Sequence, residues 1–411
     1  MNNKQFETAR LCLHVITPIN IADGITLGDK DYLYDAKTQK AYFLNLQLWH
    51  KFIYSHGLLP HYEAFLQRNG KILLEWLREN GYDIADVQSC IIAEVQAKVD
   101  LRADEQRQRE SCRNGGAQTK GNRRNNGSKK KLNDVNRHIQ QPDGSLYIPG
   151  SSIKGVFRTA ILYALLQKRP DIKNRYWRQV LFLLDKYQLN VKKDFGNLTN
   201  AMEAELLHTL QLPDKNGYIK SNNAVCSAMR GLQVSDTFAG KNVQAGILQK
   251  LDVGFNIKAG GRIKEAPLPI YRECILPGAD LTFDLKIDKA YMQTIGMASV
   301  DALLAALRDF NTAVMDLLED AFKKHYPKAF INVGGANMFV GAGTGFLSKT
   351  LLAMLAPDKE EAKNAIKKLL NISFKQHEHM LYDKVISPRT LKCTSYNGQI
   401  MLMGLAEVRR Q

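Results

Sequence analysis

Lys154 and Arg158 stand four residues apart in the stretch Tyr147-Ile148-Pro149-Gly150-Ser151-Ser152-Ile153-Lys154-Gly155-Val156-Phe157-Arg158-Thr159-Ala160. On a helix that spacing brings two cations over the same end. Pro149-Gly150 reads as a turn, and Ser151 or Ser152 is expected to cap the helix that follows. The free N–H groups and dipole of a helix start favour an anion, so the chemistry offered is the binding of phosphate. A Walker loop would need Gly-Lys-Ser/Thr, whereas the order here is Lys154-Gly155, which disfavours a nucleotide triphosphatase. The bland alternative is a capped amphipathic helix whose Lys154 and Arg158 are only solvated.

A second glycine cluster, Gly334-Gly335 and then Gly341-Ala342-Gly343-Thr344-Gly345-Phe346-Leu347-Ser348-Lys349-Thr350, lets backbone approach a ligand where side chains would obstruct it. It is no dinucleotide fingerprint: position 346 is Phe, and no acidic partner follows in a clear βαβ unit. Near the end of the chain, Ser387-Pro388-Arg389-Thr390-Leu391-Lys392 supplies two more cations suited to phosphates. His377-Glu378-His379 does not read as a metal site, because residues two apart on a helix point to different faces and no third ligand is evident. Asp23 before Gly24, and Asp236 after Val234-Ser235, read first as turn formers. Asp23 keeps a catalytic or metal-binding alternative, and a chemical role for Asp236 also stays open. His14 and His138 are candidates for a general acid or base, although neither has a convincing partner in the sequence.

Lys and Arg number 57 against 41 Asp and Glu, a formal net charge of +16, which favours a polyanionic partner. A basic but otherwise ordinary enzyme would show the same balance. Six cysteines without a C-x-x-C pair suggest neither zinc nor a disulfide framework. No run is long and apolar enough to span a bilayer, so a cytoplasmic protein is expected.

The stretch from Tyr147 to Arg158 resembles the glycine-rich signature of the RAMP superfamily of CRISPR-Cas proteins. It is most similar to the form found in the fifth Csm subunit family, which caps the crRNA 3′ end in type III-A complexes. Four further places carry the resemblance: a strand ending in Thr17-Pro18 before a glycine-containing loop, the Val234-Ser235-Asp236 strand end, the loop Gly341 to Thr350, and Ser387 to Lys392. The resemblance implies an α+β fold of two ferredoxin-like, RNA-recognition-motif-like halves. It also implies a non-catalytic, cofactor-free and metal-free RNA-binding subunit whose partners are crRNA and the Csm backbone RAMP subunits. Supporting crRNA maturation, as an adaptor for host nucleases that trim the 3′ end, belongs to the same expectation. The implied RNA contacts are Pro149, Gly150, Ser151, Ser152, Lys154, Gly155, Arg158, Gly341, Gly343, Gly345, Lys349, Arg389 and Lys392. The rival is a metal-independent RAMP endoribonuclease that cuts precursor crRNA with His14 or His138. A DNA-binding scaffold is a third reading, which no helix-turn-helix or zinc finger supports.

The elements that must position these residues follow from periodicity. Leu11, Leu13 and Val15 alternate with Cys12, His14 and Ile16 as a strand, and the next strand includes Tyr32 to Tyr34 after a loop at Asn20 to Gly24. Leu46 to Glu94 reads mainly as helices, part of an insertion spanning about 46–137. Its end, Arg102 to Arg137, is rich in Lys and Arg and poor in apolar residues, either a solvated linker or an arm that orders on RNA. Ile153, Val156, Phe157, Ala160, Ile161, Ala164 and Leu165 mark the central helix, followed by helices over Tyr176–Tyr187 and Leu198–Leu212. Met229 to Asp236 alternates as a strand, and the glycines and charges of Gly254 to Glu265 suggest a mobile hairpin, which the resemblance to RAMP subunits implies would cover the guide RNA. Ile270–Ile275 and Leu281–Ile287 are expected to form a hairpin around Pro277-Gly278. Val300 to Lys323 is a strong helix, and Gln399 to Ala406 the last strand. Two domains are expected, 1–250 and 251–411.

Overall fold

The computed structural model describes residues 5–67, 72–97, 99, 132, 134–214, 217–220, 222–256 and 262–411. The strands in chain order are β1 (Phe6–Val15), β2 (Ala22–Leu27), β3 (Tyr32–Asp35), β4 (Lys40–Leu44), β5 (Ile91–Ala97), β6 (Val135–His138), β7 (Pro213–Asp214), β8 (Gly217–Tyr218) and β9 (Leu232–Val234). They continue with β10 (Phe238–Ala239), β11 (Ala245–Asn256), β12 (Arg262–Ile275), β13 (Asp280–Asp288), β14 (Met338–Phe339), β15 (Thr390–Tyr396), β16 (Gln399–Leu402) and β17 (Leu405–Arg410). The helices are α1 (Leu46–Ser55), α2 (Leu59–Leu66), α3 (Leu73–Glu79), α4 (Gly150–Lys168), α5 (Pro170–Leu184), α6 (Val191–Leu207), α7 (Lys289–Gln293), α8 (Val300–Phe322), α9 (Leu352–Leu355), α10 (Lys359–Ser373) and α11 (His379–Tyr382).

Two sheets organise this α+β fold. The first runs β10-β13-β1-β17-β14, with β9 also on β13. Strand alternation sends Leu11, Leu13 and Val15 inward, where they meet Phe283, Leu281 and Val408. Helices α4 and α8 cover that inner face, and Tyr163 meets Phe310 at 5.6 Å between them. The second sheet runs β2-β6-β12-β11-β5-β4-β3, with β15 on β11 and β16 on β15. Along one edge of β11, β5 takes the first part in parallel and β15 takes the second part antiparallel. The insertion α1–α3 has its own aromatic core of Trp49, Phe52, Tyr62, Phe65 and Trp76.

Several expectations change. Ile270–Ile275 and Leu281–Ile287 are not a hairpin: β12 lies in the second sheet and β13 in the first, so Pro277-Gly278 carries the chain between sheets. Local alternation identifies strands but says nothing of which sheet each joins. Position 250 lies inside β11, and each sheet takes strands from both sides of it. Residues 22–24, expected in a loop, begin β2. The expected helices stop short: Ile91–Ala97 is a strand, and the next two helices end at Leu184 and Leu207. The last strand is two, β16 and β17, separated at Gly404. The stretch Met229 to Asp236 is strand only over Leu232–Val234. The basic arm lies outside the described residues over 102–131 and at 133, as does the tip 257–261 of the β11–β12 hairpin.

Candidate nucleic-acid interface

Helix α4 begins at Gly150, with Pro149 as its N-cap residue, and neither Ser151 nor Ser152 caps it. The expected serine cap is replaced by a carboxylate from elsewhere in the chain: Gly150 N donates to Asp236 Oδ1 at 2.7 Å. Both serines fall inside the first turn, where a side chain can no longer turn back to the free N–H groups. A Cβ on Gly150 would lie 2.3 Å from Val234 O and 2.6 Å from Ser235 O, so this glycine permits two segments of the chain to touch. Ile148 and Thr237 lock the same contact through backbone and hydroxyl hydrogen bonds. Asp236 is therefore structural, and it fills the anion position at the helix start.

The cations of this stretch are tied back. Lys154 Nζ donates to Leu232 O at 2.6 Å, and burial pulls its pKa down. Arg158 pairs with Glu203 at 3.5 Å on the surface. Gly155 differs, since a Cβ there would meet nothing within 4 Å. A glycine inside a helix costs roughly 1 kcal/mol against alanine, and no packing contact explains this one.

The second glycine loop is built differently. Gly341, Gly343 and Gly345 have φ of +91°, +80° and +94°, the left-handed region that side chains resist. At Gly341 a Cβ would sit 2.4 Å from Asn20 O, so the loop is pressed onto the chain that follows β1. Gly343 and Gly345 face cations instead: Arg272 Nη1 lies 3.8 Å and Lys392 Cγ 3.6 Å from where their Cβ atoms would be. Lys392 Nζ reaches Asp252 Oδ2 at 2.9 Å, and Lys250 Nζ stands 3.4 Å from the other oxygen of that carboxylate. Burial, with Arg272 nearby, lowers the Lys349 pKa, and burial, with Lys392 nearby, lowers that of Lys250. The Arg272 guanidinium, half-buried in β12 and with its pKa lowered chiefly by burial, makes no side-chain hydrogen bond or close ion pair among the described residues, and Asp252 is the nearby carboxylate that attracts it. Lys250, Arg272 and Lys392 thus gather around Asp252, with Lys349 beside Arg272, beneath bare backbone, an arrangement that lowers its energy by taking an anion.

Sequence reasoning missed Lys250 and Arg272. The signal was weak: each cation has one apolar and one polar neighbour in its strand, Lys250 between Gln249 and Leu251 and Arg272 between Tyr271 and Glu273. Arg389, which was expected to face phosphate, is engaged by Asp383 at 2.7 Å and by His377 O at 3.2 Å.

The histidines separate clearly. His138 is fully buried, accepting at Nδ1 from Ile21 N at 3.1 Å and donating from Nε2 to Tyr147 O at 2.9 Å. Burial pushes its pKa down to about 4, so it is a neutral structural residue near neutral pH. His14 does have a partner, contrary to the sequence reading: its Nδ1 lies 2.7 Å from Asp280 Oδ1 on the outer face of β1. The pair joins residues 14 and 280, a separation no local pattern bridges. Beside it, Cys12 has its thiol pKa raised, chiefly by burial. Asp23 Oδ1 accepts from Ile25 N at 2.7 Å, which is turn chemistry. His379 is engaged by Asp383, and the described residues hold no cluster of three or more metal-ligating side chains. Among the described residues no helix is long and apolar enough to cross a membrane.

Comparison with known proteins agrees with this architecture. The chain is 23% identical over 414 residues to the CRISPR system Cms protein Csm5 of Mycobacterium tuberculosis, covering 99% of this chain and 98% of the relative. It is 24% identical over 379 residues to Csm5 of Enterococcus italicus, covering 88% and 85%. Among solved structures, a chain of a type III-A Csm-crRNA-target RNA ternary complex aligns with a TM-score of 0.61 at 18% identity, covering 98% of this chain and all of that one. The crystal structure of T. onnurineus Csm5 aligns with a TM-score of 0.55 at 19% identity, covering 96% and 99%. The RAMP superfamily pattern matches residues 12–348, and the chain belongs to the RAMP superfamily.

Proposed function

We propose that this protein is a non-catalytic RNA-binding subunit of a type III-A Csm effector complex that holds the 3′ region of the crRNA and supports its maturation. The observation that carries the reading is the half-buried Arg272 guanidinium under Gly343, which has no close ion pair among the described residues, with Lys250, Lys349 and Lys392 around it and Asp252 as the carboxylate that offsets them. Such a group favours a phosphodiester backbone, which supplies charge without demanding a base identity. Similarity to Csm5 proteins and to a chain of a crRNA-bound complex supports the choice of RNA and of RAMP subunits as partners. A cytoplasmic location follows from that assignment, and recruitment of trimming nucleases is a further part of the same role.

The test is binding of labelled crRNA, alone and in the reconstituted complex, across a salt series, with crosslinks mapped along the RNA. Salt-sensitive binding without cutting is expected, with crosslinks from the Gly341 to Lys349 loop falling in the 3′ region. Crosslinks confined to the 5′ region would overturn the placement, and loss of no affinity on Arg272→Met/Lys349→Met would overturn the site.

His14 beside Asp280 is the specific observation behind a second reading, metal-independent cleavage of precursor crRNA. Cleavage in chelator by the wild type, abolished by His14→Ala, would establish it.

A further inference from the structure

Four large apolar side chains in the segment 374–385 face solvent. Phe374, Met380, Leu381 and Val385 are 51%, 53%, 54% and 45% exposed. Single exposed apolar residues are ordinary on protein surfaces, but a contiguous group marks an interaction site. Tyr187, almost wholly exposed just beyond α5, extends the group. Helices α5 and α10 run side by side in one direction, joined by Trp177 Nε1 to Glu361 at 2.9 Å and by Lys368 to Asp185, which brings Tyr187 to the same end as Phe374.

The segment is held in shape from beneath. Asp383, fully buried, accepts from Ser387 Oγ at 2.6 Å and Arg389 Nη1 at 2.7 Å, and His379 Nδ1 lies 2.8 Å away. A satisfied buried network of this kind specifies one arrangement. Glu378 adopts the left-handed conformation at φ +47°, a strained choice for a residue with a side chain. Apolar side chains are therefore presented to water by a fixed scaffold. Val385 also walls a partly open cavity of about 140 Å³ with Leu317, Ala321, Ala353 and Ile366, room for one aliphatic side chain, and the charged groups that line it, Lys359 with Asp320 and Lys363 with Glu360, are mutually paired.

The charge around the patch selects the occupant. Lys375, His377 and Lys384 are exposed within the segment, Lys375 and Lys384 form no ion pair among the described residues, and Glu378 is the segment's exposed carboxylate. We infer that residues 374–385 and the adjoining cavity form a docking surface for an acidic protein segment, which inserts one aliphatic side chain beside Val385 and sets carboxylates against Lys375 and Lys384. A second copy of the chain fits poorly, because a two-fold contact would bring the same basic patch against itself, with Glu378 as the segment's exposed carboxylate to offset Lys375 and Lys384. Single-stranded RNA would stack on Phe374 and Tyr187 at one end of the patch but would leave Met380, Leu381, Val385 and the cavity beside them uncovered, so the aliphatic part of the surface favours a peptide.

The experiment is selection from a random peptide display library on the full chain, with counter-selection on Leu381→Glu, an exposed position where folding is checked by thermal melting. Enriched peptides are expected to combine an acidic excess with an aliphatic anchor. A labelled selected peptide should bind Leu381→Glu and Lys375→Glu/Lys384→Glu about tenfold more weakly than wild type. The second loss should be recovered when the peptide's acidic residues become lysines. Failure to enrich over the counter-selection, enrichment of basic or neutral peptides, or indifference to charge reversal would each overturn the proposal. So would self-association in sedimentation that Leu381→Glu abolishes, or oligouridylate binding that Lys375→Glu/Lys384→Glu abolishes while no peptide binds.

Discussion

Replacing Arg272 with Met keeps a long apolar stem but removes the charge under Gly343, and its effects on binding and stability should have opposite signs. The cluster carries four cations against Asp252, a net of three charges. Each single-strand phosphate neutralised contributes about 0.7 to the slope of log K against log salt, so the intact cluster supplies about 2 and the variant loses about 0.7. Between about 50 and 200 mM salt the variant should lose about 2.5-fold less affinity than wild type. At low salt it should bind about tenfold more weakly or worse, since a hydrogen bond to a charged group is worth about 1.5–3 kcal/mol. The RNA-free protein should instead become more stable, by on the order of 1 kcal/mol, as happens when binding groups held at a cost are removed. Because Arg272 helps depress the Lys349 amine, the Lys349 pKa should move up in the variant. Fluorescence anisotropy across the salt series, denaturant melts without RNA and NMR titration of the lysine amine read the three effects. A variant that binds RNA as wild type does and melts earlier would refute the reasoning, because Arg272 would then be structural.

Four further outcomes follow from the same geometry. His138 has a folded pKa of about 4 against 6.5 for the free group. Below pH 6.5 the unfolded chain takes up a proton that the native state refuses. Stability should therefore fall by about 3 kcal/mol from pH 6.5 to 4, with His138→Gln showing a flatter profile in urea melts. Gly150→Ala places a methyl 2.3 Å from a backbone carbonyl and should cost roughly 3 kcal/mol, the upper part of the overpacking range, read by thermal melting. Gly155→Ala meets no neighbour. It should stabilise the RNA-free protein by up to about 1 kcal/mol while weakening RNA binding, a combination that tests whether Gly155 lets a partner approach. Asp236→Ala removes the acceptor for Gly150 N and should cost about 1–2 kcal/mol in the same melts, the usual worth of a helix cap.

Much of the scaffold was legible. The alternation in β1 sends Leu11, Leu13 and Val15 to the core, and the three- and four-residue spacings of α4 and α8 produce the buried stripes that Phe157 and Phe310 join. Both glycine stretches were visible, but their purposes were not distinguishable. Gly150 and Gly343 look alike in sequence. One admits the carbonyl of Val234 and the other borders Arg272, and only chain segments far apart in sequence make that difference.

By itself the sequence determined the periodic elements, the basic balance and the bare-backbone loops, because these depend on side chains within a few residues of one another. Tertiary structure alone decided which cations remain unpaired. Asp236 fills the first helix start, Glu203 takes Arg158 and Asp383 takes Arg389, whereas Arg272 is left facing a glycine loop. Charge pairing is decided by distances of a few ångströms in the folded chain, between residues as near as Asp383 and Arg389 or as far apart as Gly150 and Asp236, which no local pattern encodes.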